Sequence, residues 1–447
     1  MLSSVHFVNA WHSTSGGIRT FYLALLDAAE RDGRRLALVA PGPKTSVERL
    51  GQHTRVYMIE APASLAFDRR YRVLYPHRYL VARASPLWRI LEDERPSLVE
   101  ICDKYSLCHL AGLIKARAGN GRRPTLVGLG TERMDDNVSA WIARGRAGAR
   151  FSGWYLRRVY LPQFDFHIAV SDYVADELRC VIDRHSATDW RLRRLRAAVH
   201  VLPMGVDAER FRPGRRSADL RRSLLARAGG NPDATLLIYA GRLSPEKQVH
   251  WLPEILAALV ARGHDARLAI IGSGPGRSEL LASLRERARG RFVLLDHCTN
   301  RDELAAHVAS ADVFVHPNPR EPFGIGPLEA MSAGVPVVLA RAGGVLSYAS
   351  DSNAWLADPS SEELAAAVSA LLANPPLARA RARTAIGTAA SLTWPLVARR
   401  FLELYERLHA HRMSAPYVLE EDSAATANSA RPTLSRSPGL RSARETR

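Results

Sequence analysis

Short apolar runs alternate with amphipathic stretches along most of the chain, the pattern of parallel strands joined by covering helices. In the first half, VHFVNA (5–10), RLALVA (35–40), SLVEIC (97–102), TLVGL (125–129), FHIAV (166–170) and VHVLP (199–203) read as buried strands. Ser171, directly after FHIAV, is placed to cap a helix over DYVADELRCVI. The second half keeps the rhythm with TLLIYAG (235–241), RLAIIG (267–272), RFVLLD (291–296), DVFVHP (312–317) and VPVVLA (335–340). WLPEILAALVARG and RDELAAHVAS supply helices between these runs.

The alternation pauses over 204–234, a stretch rich in Pro, Gly and Arg, which puts a domain junction near its start. The expected organisation is a first domain over 1–205 and a second over 206–391. A helix follows over 392–412, with Leu396, Val397, Phe401, Leu402, Leu404, Tyr405 and Leu408 at helical spacing. The remainder, 413–447, is an aperiodic Ser/Ala/Pro/Arg-rich tail expected to be disordered. The fold class is therefore α/β, with two doubly wound sheets whose carboxyl ends face a cleft where ligands bind.

Composition narrows the class. At 447 residues, 47% apolar and 24% charged, the chain is neither disordered nor a single small domain. Cys102, Cys108, Cys180 and Cys298 form no CxxC pair, so neither a disulfide framework nor a zinc site is implied. The opening MLSSVHFVNAWH lacks the charged and apolar regions of a signal peptide. No uncharged apolar run nears the roughly 18–20 residues that span a bilayer. A cytoplasmic protein is expected, with peripheral membrane contact open to it.

The charge is less ordinary. Lys and Arg total 62 against 45 Asp and Glu, a net +17, yet only Lys44, Lys104, Lys115 and Lys247 are lysines. Codon usage in a GC-rich genome explains that ratio most simply. Residues 1–205 carry +11 of the excess, with Arg69, Arg70, Arg72, Arg78, Arg144, Arg146, Arg150, Arg157 and Arg158 in clusters. An anionic bilayer surface is the partner this suggests. Nucleic acid is not, because the arginines lack a stacking or helix-turn-helix setting.

The candidate chemistry lies in loops after the strands. TLLIYAG runs into GRLSPEKQ, so Arg242 can fork onto two phosphate oxygens while Lys247 adds a point charge. RLAIIG ends in GSGPG, where Gly272 and Gly274 let a backbone approach a ligand. In REPFGIGPLEAMSAGVPVV, Glu321 precedes two glycines, and Pro327 marks a helix start that would put Glu329 in the first turn. A carboxylate there can accept both ribose hydroxyls, and the glycine loop offers N–H groups to sugar or phosphate. Across the cleft, STSGGIRT presents Gly16 and Gly17, and GLGTERMDDN presents Thr131, Glu132, Arg133, Asp135 and Asp136 at a strand end.

Together, SGGIRTFY, LPMGVDAERF, GRLSPEKQ, GSGP, EPFGIGPLEAMSAGVPVV and TWPLVARRFLELY resemble a retaining glycosyltransferase of the GT-B fold, family 4, over residues 1–412. The resemblance implies two Rossmann-like domains and a last helix that crosses back to the first. It implies a nucleotide-sugar donor with Arg242 and Lys247 on the diphosphate, Glu329 on the ribose and Glu321 beside the sugar. Phe323, Gly324, Ile325 and Gly326 match the loop that contacts sugar and phosphate. Gly16, Gly17, Gly272 and Gly274 complete the donor set, and Glu321, Arg242 and Lys247 would carry catalysis. SGGIRTFY and ERMDD resemble mannosyltransferase-like members, which implies GDP-mannose and a lipid or polysaccharide-precursor acceptor. No cofactor and no metal are expected.

One departure stands out. Many relatives place a histidine where this chain has Thr131, which leaves Glu132 and Asp135 to make up the sugar contact. It also keeps open a sugar-nucleotide binder or partner subunit without turnover. A NAD-dependent enzyme fits less well, because STSGGIR is not GxGxxG.

Overall fold

The computed structural model describes residues 2–12, 16–64, 72–77, 85–118, 123–141 and 146–414. The first sheet is built from β1 (Ser3–Val8), β2 (Arg35–Gly42), β3 (Ser46–Arg49), β4 (Thr54–Glu60), β5 (Leu98–Cys102), β6 (Thr125–Gly130), β7 (Phe166–Ala169) and β8 (Val199–Val201). Their order is β3-β4-β2-β1-β5-β6-β7-β8, parallel except for the edge hairpin of β3 with β4. The second sheet comprises β9 (Thr235–Ala240), β10 (Ala266–Ile271), β11 (Phe292–Leu295), β12 (Val313–His316), β13 (Val337–Ala340) and β14 (Trp355–Ala357). Its order is β11-β10-β9-β12-β13-β14, and every pairing is parallel.

Both sheets reverse their winding beside their first strand, between β1 and β5 and between β9 and β12. Such switch points open crevices at the carboxyl ends of the strands. The loops after β1, β9 and β12 are among those the sequence marks out, with those after β6 and β10.

β3, β4 and β14 have no counterpart among the expected strands. β3 is exposed along its whole length, β4 carries Arg55 and Tyr57 between its buried positions, and β14 is three residues long. None gives the continuous apolar run of a central strand. Ser171 does cap the helix Asp172–His185, its hydroxyl accepting from the Val174 amide at 3.2 Å.

The helix Trp394–Ser414 starts two residues later than the apolar pattern suggested and continues two residues into the segment read as tail. The tail beyond it lies outside the described residues, as do Arg69, Arg70, Arg78, Arg144 and the Arg146 side chain. Leu396 falls on the outer face; Val397, Phe401, Leu402, Leu404, Tyr405 and Leu408 are buried. The helix packs on the first half, with Phe401 at 4.7 Å from Phe21 and His409 Nδ1 at 2.9 Å from Thr125 Oγ1.

Tyr405 also donates to Glu100 on β5, a fully buried carboxyl that accepts from Tyr22 at 2.7 Å and contacts His6 Nδ1 at 3.1 Å. The outgoing and returning segments touch, because Val206 N donates to Leu392 O and Trp394 N to Val206 O. Trp394 packs directly against Gly205, where a Cβ would lie 2.7 Å from its ring.

Candidate functional site

Glu321 lies at the centre of the site. It follows β12 at the second switch point and is only 8% exposed. Lys247 donates to both its oxygens, at 2.9 and 2.8 Å. His316 Nε2, at the end of β12, and Asn318 Nδ2 each donate to Oε2 at 2.9 Å. Burial by itself would raise the pKa of this carboxyl. Lys247 and His316 outweigh it and hold Glu321 well below the usual range, so it stays ionised.

Lys247 and Glu321 stand 74 residues apart and were read from sequence as two separate ligand contacts; the fold joins them into one ion pair. Arg242 is exposed just past the end of β9, three residues upstream of the short helical turn Pro245–Lys247. His316 stacks on buried Tyr239, ring centroids 6.1 Å apart, and its Nδ1 is buried with no hydrogen-bond partner.

Glu329 is a correction. The helix begins at Ile325, with Gly324 (φ 89°) as its cap, rather than at Pro327. Glu329 therefore falls past the first turn, is 6% exposed and accepts from Arg301. Burial raises its pKa, and Arg301 offsets part of that rise. Phe323 is buried beside Tyr348, whose hydroxyl donates to the Gly324 carbonyl at 2.5 Å.

Gly272 and Gly274 permit a close approach within the protein itself. A Cβ on Gly272 would lie 2.0 Å from the Gly241 carbonyl, and one on Gly274 would lie 2.2 Å from that of Leu243. The close approach they permit is to the GRLS loop. That contact lines up the Arg242 segment with the start of the helix Arg277–Arg287.

On the facing wall, Gly16 and Gly17 open the helix Gly16–Arg31, and Gly17 meets Ile325, where a Cβ would lie 2.7 Å from Cδ1. Thr131 follows β6, its hydroxyl 3.9 Å from the thiol of Cys102. Glu132 accepts from Asn137 at 2.9 Å, and burial raises its pKa. Its carbonyl accepts from Lys104, which is itself buried against Glu177 at 2.6 Å. Asp135 is held by both nitrogens of the Arg133 fork, at 2.9 and 2.5 Å. Glu132 is thus a carboxyl among polar neighbours, whereas Asp135 is neutralised by its own neighbour.

His316, Asn318, Arg301 and Lys104 were missed. Each follows or ends a strand: His316 and Asn318 β12, Arg301 β11, Lys104 β5. The strand-end rule that found Glu321 would have found them too, had it been applied to every loop.

Two facing parallel sheets, a terminal helix that returns to the first half, and an ionised carboxylate with cationic neighbours at the second switch point define a glycosyltransferase of the GT-B class. The profile described as Glycosyl transferases group 1 matches residues 223–388, and that described as Glycosyltransferase Family 4 matches residues 15–210. A GDP-mannose-dependent alpha-(1-6)-phosphatidylinositol dimannoside mannosyltransferase of Mycobacterium tuberculosis is 30% identical over 400 residues, covering 89% of this chain and 94% of its own. A GDP-mannose-dependent alpha-mannosyltransferase of Corynebacterium glutamicum is 26% identical, covering 73% and 70%. The solved sucrose-phosphate synthase of Thermosynechococcus elongatus superposes with a TM-score of 0.67 at 18% identity, covering 92% of this chain and all of its own. The chain belongs to the family 4 glycosyltransferases, enzymes that transfer a sugar from a nucleotide-sugar donor.

Proposed function

We propose that the protein moves mannose from GDP-mannose to a hydroxyl of a lipid-borne acceptor, with retention of configuration and without a metal. The observation that carries the donor and acceptor is the match to the mycobacterial mannosyltransferase over 94% of that enzyme's length. In the chemistry we infer, the anomeric C–O bond breaks through an oxocarbenium-like transition state while negative charge grows on the leaving diphosphate. Arg242, Lys247 and the amides that open the helices Arg277–Arg287 and Ile325–Ser332 oppose that charge. Glu321, kept ionised, faces the positive charge on the sugar. Glu329 holds the ribose, with Arg301 fixing its orientation. The acceptor hydroxyl attacks from the face the diphosphate leaves and passes its proton to the departing phosphate oxygen, while Glu132 with Thr131 contacts the sugar.

Thermal-shift titration tests the donor. GDP-mannose should raise the melting temperature more than UDP- or ADP-glucose, unchanged by EDTA, and Lys247→Ala and Glu329→Ala should each abolish the rise. A larger shift with UDP-glucose would overturn the donor, and rises that survive in both variants would move the site.

An anionic bilayer is the surface we propose the acceptor is taken from. Among the described residues no helix is long and apolar enough to cross a membrane. The first half instead exposes Phe151, Trp154 (57%) and Trp190 (58%). Phe151 and Trp154 are 6.1 Å apart, and Arg191 and Arg194 lie against the Trp190 ring at 5.7 and 4.9 Å. Arg157, 3.7 Å from Asp189, joins the two patches, and exposed Arg150 and Arg158 flank them. Aromatic bodies with basic heads suit the headgroup layer. Vesicles of anionic lipid should retain the protein at low salt and release Trp154→Ala/Trp190→Ala; equal retention by neutral vesicles would contradict this.

A further inference from the structure

Contacts from the first half of the molecule converge on residues 320–325, the loop that carries Glu321. Gly17 meets Ile325, and Asp136 Oδ1 lies 3.8 Å from Arg320 Nε. Between these, the Ser171 hydroxyl donates to the Pro322 carbonyl at 2.5 Å. Ser171 is fully buried, and its single hydroxyl proton is spent on Pro322; the oxygen's acceptor capacity serves the Val174 amide.

The second domain's own backbone holds the loop as well. Gly344 N donates to the Glu321 carbonyl at 2.6 Å. A Cβ on Gly344 would lie 1.9 Å from the Pro322 carbonyl oxygen and 2.8 Å from Ser171 Oγ, so only glycine lets the three segments meet. The successive carbonyls of Glu321 and Pro322 are therefore held by two different partners, one the second domain's own backbone and one a side chain from the first.

We propose that Ser171 is a positioning residue for transfer: its hydroxyl clasps the Glu321 loop when the two sheets close, so the carboxylate takes its working position only in the closed molecule. The hydrogen bond can form only while the end of β7 is against the second sheet. Donor held by the second domain alone would leave the loop free on one side. Closure over donor and acceptor together would seat Pro322 on Ser171 and set the Glu321 carboxylate, already held by Lys247 and His316, against the sugar. The clasp couples closure to chemistry without itself touching substrate. It rests on the reading of Glu321 as the carboxylate beside the donor sugar.

Ser171→Gly separates the clasp from the helix cap, because glycine serves nearly as well as serine at a helix start but carries no hydroxyl. The expected result is a fall in kcat of roughly ten- to a hundredfold. GDP affinity by calorimetry should stay within about twofold of wild type, because the diphosphate site lies on the other domain. Ser171→Thr, which keeps the hydroxyl, should restore most of the rate. An unchanged kcat in Ser171→Gly would overturn the proposal. So would a loss matched by an equal loss of GDP affinity, or one that Ser171→Thr shares. Glu321→Gln is the control for the underlying reading: full activity there removes Glu321 from the chemistry, whereas loss there with none in Ser171→Gly removes the clasp alone.

Discussion

Lys247→Ala should lose both transfer and stability, and the two losses should respond differently to a second change. Removing the ammonium leaves Glu321 ionised and buried with only His316 and Asn318 as donors. Breaking a buried ion pair from one side costs about 3 kcal/mol or more, mostly as the penalty on the stranded charge. Lys247 is 23% exposed at its side chain, so the lower end of that range applies. Transfer should drop by at least about a hundredfold, as when one preorganised group facing transition-state charge is removed. Adding Glu321→Gln removes the stranded charge. The double variant should regain most of its stability in urea unfolding and none of its activity. If activity returned with stability, Lys247 would be a structural partner of Glu321 and nothing more.

The second large effect lies far from the cleft. Glu100 is fully buried on β5 and collects the hydroxyls of Tyr22 and Tyr405 with His6 Nδ1. Tyr22 belongs to the first helix and Tyr405 to the last, so one carboxyl joins both to the central strands. Glu100→Ala would strand these polar groups and open a cavity, at a cost of about 3–5 kcal/mol. Tyr405→Phe leaves two partners in place and should cost about 1–2 kcal/mol. Urea unfolding monitored by tryptophan fluorescence reads both. A Glu100→Ala loss no larger than that of Tyr405→Phe would mean that the network is not what holds the terminal helix.

Much of the architecture was legible because central parallel strands are buried on both faces and so read as continuous apolar runs. VHFVNA and TLLIYAG announce β1 and β9 in this way, and the two switch points follow from them. The strands β3 and β4 were not legible, since β3 is exposed throughout and β4 breaks its buried positions with half-exposed Arg55 and Tyr57. At the site, residue types and loops could be read, but pairings could not. Nothing local says that Lys247 reaches across 74 residues to Glu321, or that Arg301 meets Glu329. The Glu329 position was misjudged because Pro327 was taken for the helix start, whereas the left-handed Gly324 begins it earlier. Ser171 was read correctly as a cap and incompletely as a residue: its second bond depends on the other domain, which no local pattern encodes.

The central claim is that this cleft transfers mannose with retention through Glu321. Its most direct test is the product: purified protein, GDP-mannose labelled with ¹³C at the anomeric carbon, and a panel of glycolipid acceptors, read by NMR. The account predicts GDP release and a new glycosidic carbon with the donor's own anomeric configuration, both lost in Glu321→Gln. An inverted linkage, or undiminished transfer by Glu321→Gln, would contradict it.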